Sequence, residues 1–143
     1  MNTEPRYLPL IGRILLAAIF LLSGVSKLGA AGGTIGYIAA AGLPLPELAY
    51  VGAVALEIGG GILLIAGFKT RAVAAVLAVF SVVTAVVFHN AAGDQNQSIH
   101  LLKNLAIAGG LLQVAAFGAG RLSLDALRRS RGERSLAGSA ANA

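Results

Sequence analysis

Four long apolar runs, separated by short polar breaks, make up most of the chain: about Leu8 to Leu28, Glu47 to Phe68, Thr70 to His89 and His100 to Gly118. A helix that crosses a bilayer needs about 20 mostly apolar residues, because a rise of ~1.5 Å per residue must cover ~30 Å of hydrocarbon. Each run is close to that length. The stretch AVALEIGGGILLIAG, from Ala53 to Gly67, has no wet face at all, yet it carries Glu57. The pattern predicts an all-α fold, an integral membrane four-helix bundle occupying residues 1–126.

The breaks differ in kind. GAAGGTIGYIAAAGLPLPE, between the first two runs, is half apolar and rich in Gly and Pro. It predicts a short interfacial helix near Tyr37 and a break at Pro44 and Pro46. FKTR joins the second and third runs and must turn tightly; NAAGDQNQS joins the third and fourth. From Leu127 the sequence becomes basic and then Ser/Gly/Ala-rich, which reads as a mobile tail over 127–143. The first run follows arginines as a signal peptide would, but it is long enough to span and is followed by Lys27, so it is read as a retained helix.

Composition agrees with a membrane protein. Of 143 residues, 57% are hydrophobic and 12% charged, against roughly 25% charged in a soluble domain. There is no cysteine, which excludes disulfides, thiolate ligands and thiol redox chemistry, so a redox role would need a bound cofactor or a partner. The positive charge has a side. If all four runs span, Arg6, Arg13, Lys69, Arg71, Arg121, Arg128, Arg129, Arg131 and Arg134 share one side, and Lys27 and Lys103 lie on the other. Basic residues concentrate in cytoplasmic loops, so both termini are expected to be cytoplasmic. This accounts for the pI of about 10.3 with no nucleic acid partner.

Charges inside a span cost roughly 3 kcal/mol at its centre and face the bundle interior or water. Helical phase collects the polar residues into stripes of small ones: Arg13, Ala17, Phe20, Gly24 and Lys27; Glu57 with Gly60 and Gly61; Ala74, Ala78, Ser81, Ala85 and His89; Lys103, Ala106, Gly110 and Gln113. Small stripes are where transmembrane helices approach closely, so the polar groups are expected in one shared interior. Arg13 and Lys103 are the partners expected for Glu57; alternatively Glu57 is protonated, since desolvation disfavours a carboxylate. The structural readings stand beside these. Arg13 and Glu57 suit a clamp that fixes register. Lys27 suits a snorkelling end residue. Gln113 suits an interhelical hydrogen bond. His89 and His100 follow no metal-ligand spacing, so no metal site is expected and haem is disfavoured.

GRILLAAIFLLSGVSKL, AGLP, ALEIGGGILLIAGFKTR, FH, LLKNLAIAGGLL and GAGRLSLD, in that order from about Ile11 to Asp125, resemble the DoxX family of small four-helix bacterial membrane proteins. The resemblance implies a multi-pass protein of the bacterial inner membrane. The family is similar in fold to the small membrane subunit of archaeal thiosulfate–quinone oxidoreductase, and some members associate with partners that handle oxidative or thiol stress. A link to quinone redox or redox homeostasis is therefore implied. The family's polar pattern falls on Arg13, Lys27, Glu57, His89, Lys103 and Asn104, and GRLSLD adds Arg121 and Asp125.

Three functions compete. The first is a subunit of a membrane redox system, with no independent activity assigned. Its quinone-like pocket would be formed by Arg13, Lys27, His89, Lys103 and Asn104, with Glu57, His89 and Lys103 as a proton relay. The second is a non-catalytic anchor for soluble redox proteins, with RRSRGER docking an acidic partner or anionic lipid. The third is a proton-coupled permease, which four spans would support only as a homo-oligomer.

Overall fold

The computed structural model of the protein describes residues 6–89 and 94–141, with the backbone alone for 134–141. Six helices follow one another: α1 (Leu8–Gly29), α2 (Ala31–Ala40), α3 (Pro46–Ala66), α4 (Thr70–Phe88), α5 (Gln95–Phe117) and α6 (Leu124–Ala141). Among the described residues there is no strand. α1, α3, α4 and α5 are each long and apolar enough to cross a membrane, so the protein is an all-α, four-span membrane bundle.

Local chemistry sets the ends. Pro46 is the first residue of α3, a position where its fixed φ suits the helix and its missing N–H would have no partner anyway. Gly67, at φ +68, closes α3 with its N–H on the Leu63 carbonyl, a left-handed cap that favours glycine. The fourth span starts at Gln95, earlier than the apolar run suggests. Asp94 accepts the N–H groups of Asn96 and Gln97, so a cap extends the helix through a polar first turn that hydropathy passes over. α2 is the short helix expected near Tyr37, and α6 runs through most of the segment expected as a tail. Of the loop expected between the third and fourth spans, residues 90–98, the first four lie outside the described residues, and Gln95 to Ser98 belong to α5.

The spans pack in two pairs. α1 lies along α3 and α4 along α5, and contacts of α3 with α4 and of α1 with α5 close the bundle. Ala17, Phe20, Leu64, Leu77, Ala78 and Leu111 meet in the core. On α1 the predicted stripe Arg13, Ala17, Phe20 and Gly24 is buried. On α4 the stripe Ala74, Ala78, Ser81 and Ala85 is buried too. The fourth stripe is a correction. Ala108 and Leu111 are the buried residues of α5, while Ala106 and Gln113 are exposed. Packing of leucine and alanine against α4 sets the phase of this helix, and Gln113 is carried outward, away from the interhelical role expected of it.

Candidate functional site: a buried carboxylate and the cavity beside it

α1 and α3 run antiparallel and touch through glycines. A Cβ on Gly24 would lie 2.6 Å from Ile58 Cγ1, and one on Gly61 would lie 2.8 Å from Leu21 Cγ. This close approach sets Ser23 and Lys27 of α1 against Glu57 of α3. Lys27 Nζ donates to Glu57 Oε1 at 2.8 Å and to Ser23 Oγ at 2.7 Å. Ser23 passes its own hydrogen to the same Oε1 at 3.0 Å. Glu57 is 4% exposed, and its second oxygen, Oε2, is buried without a hydrogen-bond partner. Two donors on one oxygen, one of them an ammonium, suit an ionised carboxylate.

The partner of Glu57 is therefore Lys27, in place of the expected Arg13 or Lys103. Lys27 and Glu57 form the one ion pair among the described residues. The register explains this. Helical side chains lean toward the N-terminus of their helix, so Lys27 reaches back into the bundle instead of snorkelling out. Arg13 lies fourteen residues earlier on α1, roughly 20 Å along the axis. Ser23 was not singled out by the sequence reading. The available signal was its place one turn before Lys27, beside the small-residue stripe.

Glu57 forms part of the wall of a partly open cavity of about 510 Å³ lined by residues of α1 to α5. Most of the wall is apolar, with Phe20, Ile38, Phe80 and Ile107 among its residues. Its polar groups include Ser23, Lys27, His89, His100, Lys103 and Asn104. Of the residues expected in a pocket, the structure thus brings together Lys27, Glu57, His89, Lys103 and Asn104. The His89 and His100 rings stack with centroids 5.1 Å apart, and His89 Nδ1 lies 2.8 Å from Gln97 Oε1. Asn104 donates to the His100 carbonyl one turn back on its own helix. Lys103 lines the cavity while staying exposed along much of its side chain. Tyr37 of α2 stacks on Phe88 of α4 at 5.2 Å, so the short helix covers this end of the cavity.

Arg13 is not part of the cavity wall. It is 1% exposed and belongs to a tie at the other end of the bundle. One Nη donates to the carbonyls of Leu64 and Ile65 at 2.9 Å, and the other to the carbonyl of Leu122. The last carbonyls of a helix lack intrahelical donors, and Arg13 supplies them for α3. Asp125 completes the tie. Its carboxylate accepts the N–H groups of Lys69 and Thr70, both at 2.8 Å, at the start of α4, where the helix dipole favours an anion. Burial pushes the Asp125 carboxyl up, but these N–H groups and the Arg128 charge outweigh it and hold it below the ordinary carboxylate value. Lys69 sits at φ +45, a left-handed value that costs a non-glycine residue about 1–2 kcal/mol; the bond to Asp125 holds it there. Arg121 is exposed nearby.

The family model described as DoxX matches residues 8–90. The inner membrane protein YqjF of Escherichia coli strain K12 is 38% identical over 118 residues, covering 82% of this chain and 89% of that protein. The inner membrane protein YphA of the same organism is 38% identical over 121 residues, covering 81% of this chain and 86% of that protein. No solved structure matches the chain. Ser23, Lys27, Glu57 and His89 lie within the residues that the family model matches, and His100, Lys103 and Asn104 lie beyond them.

Proposed function

Because this chain belongs to the DoxX family, and its relatives are inner membrane proteins, we propose that it is a membrane subunit of a quinone-linked redox system. The cavity beside Glu57 would be the place where the ring binds. The observation that carries this reading is a largely apolar chamber of about 510 Å³ with a buried carboxylate in its wall. Ligand sites of this kind combine apolar walls with a few placed polar groups. The residues fit the group: Phe20, Phe80 and Ile107 offer apolar surface, and Lys103 and the histidines offer donors for ring oxygens. A quinone supplies two-electron, two-proton chemistry when bound. In this reading Glu57, held by Lys27 and Ser23, would accept a proton, with His89 and Lys103 of the same wall as further members of the relay. The chain has no cysteine, so electrons would come through a bound cofactor or a protein partner. The charge bias favours both termini on the cytoplasmic side.

Purification in a mild detergent, followed by solvent extraction and mass spectrometry, tests the reading. Stoichiometric quinone that is lost when Phe80 is replaced by Trp to fill the chamber is the expected result. Protein that holds no quinone, and takes up none added as a short-chain analogue, would sink it.

A second reading has its own observation. At the basic end Arg121, Arg128, Arg129 and Arg131 are exposed, with Arg128 standing 5.2 Å from the centre of the Phe68 ring. That surface suits a non-catalytic anchor for an acidic soluble partner. Loss of partner recovery on truncating α6, with Glu57→Gln recovering it normally, would favour the anchor over the redox site.

A further inference from the structure

A second hollow lies on the outside of the bundle, between α3 and α4. It is a groove of about 340 Å³ with an almost wholly apolar wall. The two helices touch at its floor, where a Cβ on Gly60 would stand 2.9 Å from Leu77 Cδ2. Beside this contact, a Cβ on Gly59 would meet nothing within 4 Å. Ala55, Leu56, Ala72 and Val76 are exposed along the groove. Both helices are spans, so in a bilayer the groove faces hydrocarbon. Its character changes at one end. Phe68 and Lys69, in the turn between α3 and α4, line it there, and the Arg128 guanidinium stands 5.2 Å from the centre of the Phe68 ring. Lys69 and Arg128 are exposed, and neither belongs to an ion pair among the described residues.

We infer that this groove binds one anionic phospholipid, with an acyl chain lying across Gly59 and the phosphate received by Lys69 and Arg128. The site is separate from the cavity beside Glu57 and does not rest on the redox reading. The order of its surfaces is that of a phospholipid: an apolar slot within the spans, then cations where the chain leaves it. Ala55 and Leu63 lie eight residues apart on α3, roughly 12 Å along the axis, which suits an extended chain better than a compact solute. A soluble acidic protein cannot enter a slot inside the bilayer. A second copy of the chain, inserted the same way and related by a twofold axis, would set Lys69 and Arg128 against their own images. Charge then decides between lipids. Both oxygens of Asp125 are already engaged by the N–H groups of Lys69 and Thr70. Arg71, Arg121, Arg129 and Arg131 add to the positive field of this end and outweigh Asp125 and Glu133. A phosphate whose headgroup carries no cation of its own gains most from that field.

The test uses the full-length protein in detergent, stripped of lipid and titrated with dioleoyl-phosphatidylglycerol or dioleoyl-phosphatidylcholine. Native mass spectrometry counts the lipid bound. The acyl chains are identical, so only the headgroup differs. The expected result is one phosphatidylglycerol per chain, held about tenfold more tightly than phosphatidylcholine, the order expected of two cations beside a phosphate. Lys69→Gln combined with Arg128→Gln, both on the surface, brings the two lipids to equal retention. Gly59→Leu fills the groove and weakens phosphatidylglycerol by about tenfold through lost chain burial, with the α6 arginines still in place. Equal retention of the two lipids by wild type overturns the inference without any variant. So does a preference that the double variant leaves unchanged. A preference that survives Gly59→Leu overturns it too, because the lipid then sits on the exposed arginines alone. So does a dimer in place of bound lipid, dispersed by Gly59→Leu.

Discussion

One hydroxyl at Ser23 relays between two charges. It accepts from the Lys27 ammonium and donates to the Glu57 carboxylate, so the ion pair is bridged as well as direct. Such a pair is weak evidence for net stability, because both charges were desolvated to make it. Removing one partner is different, since it strands the other. Lys27→Met is expected to destabilise the protein by about 3 kcal/mol, the low end for a broken buried pair, because Lys27 keeps 25% of its side chain exposed. The double variant Lys27→Met with Glu57→Met is expected to recover most of that loss. Reversible unfolding in mixed micelles measures it, and a double variant no better than the single one would contradict the account. The identity of this pair was not legible in the sequence. Helical phase alone placed Arg13, Lys27 and Glu57 on interior faces, but the choice among them depended on the register of α1 against α3, fixed by contacts at Gly24 and Gly61.

Helices α1, α3 and α4 show what a sequence can reveal at the scale of elements. Their inward faces are lines of small residues broken by a polar group, and close packing demands small residues wherever backbones approach. Within the triplet Gly59, Gly60 and Gly61 the demand is uneven. A Cβ at Gly61 would meet Leu21 at 2.8 Å, whereas one at Gly59 would meet nothing within 4 Å. Gly61→Ala is expected to cost about 1–3 kcal/mol, as overpacking does. Gly59→Ala is expected to be neutral or to stabilise by up to about 1 kcal/mol through helix propensity. Thermal unfolding of the two variants side by side checks this, and equal effects would refute it. α5 differs in its second half, where the polar residue Gln113 does not mark the buried side. Its inner face is made by Ala108 and Leu111, and an apolar residue in a span carries no sign of whether it faces protein or lipid.

At the scale of the molecule, two separate polar structures hold the bundle: the Lys27–Glu57 pair beside the cavity and the Arg13–Asp125 tie at the opposite end. The first sits where function is proposed, and the second joins α1, α3, α4 and the start of α6. Because the folded Asp125 carboxyl is held below its ordinary value, folding favours its ionised form. Its contribution is fully present above the unfolded value, about 4, and is lost as pH falls through the lower folded one. Wild type is therefore expected to be more stable than Asp125→Asn by a constant margin above about pH 5, with the margin shrinking below about pH 4. Limited proteolysis of α6 across that range reads it out, and a margin that does not change with pH would overturn the assignment. The tie also has a history in time. The Arg13 bonds to Leu64 and Leu122 span 51 and 109 residues, so a ribosome adding about 5–20 residues each second leaves Arg13 short of its last acceptor for roughly 5–20 s after it emerges. Helix α1 thus enters the bilayer with a guanidinium whose partners are still being made, and the tie closes only after Leu122 has been translated.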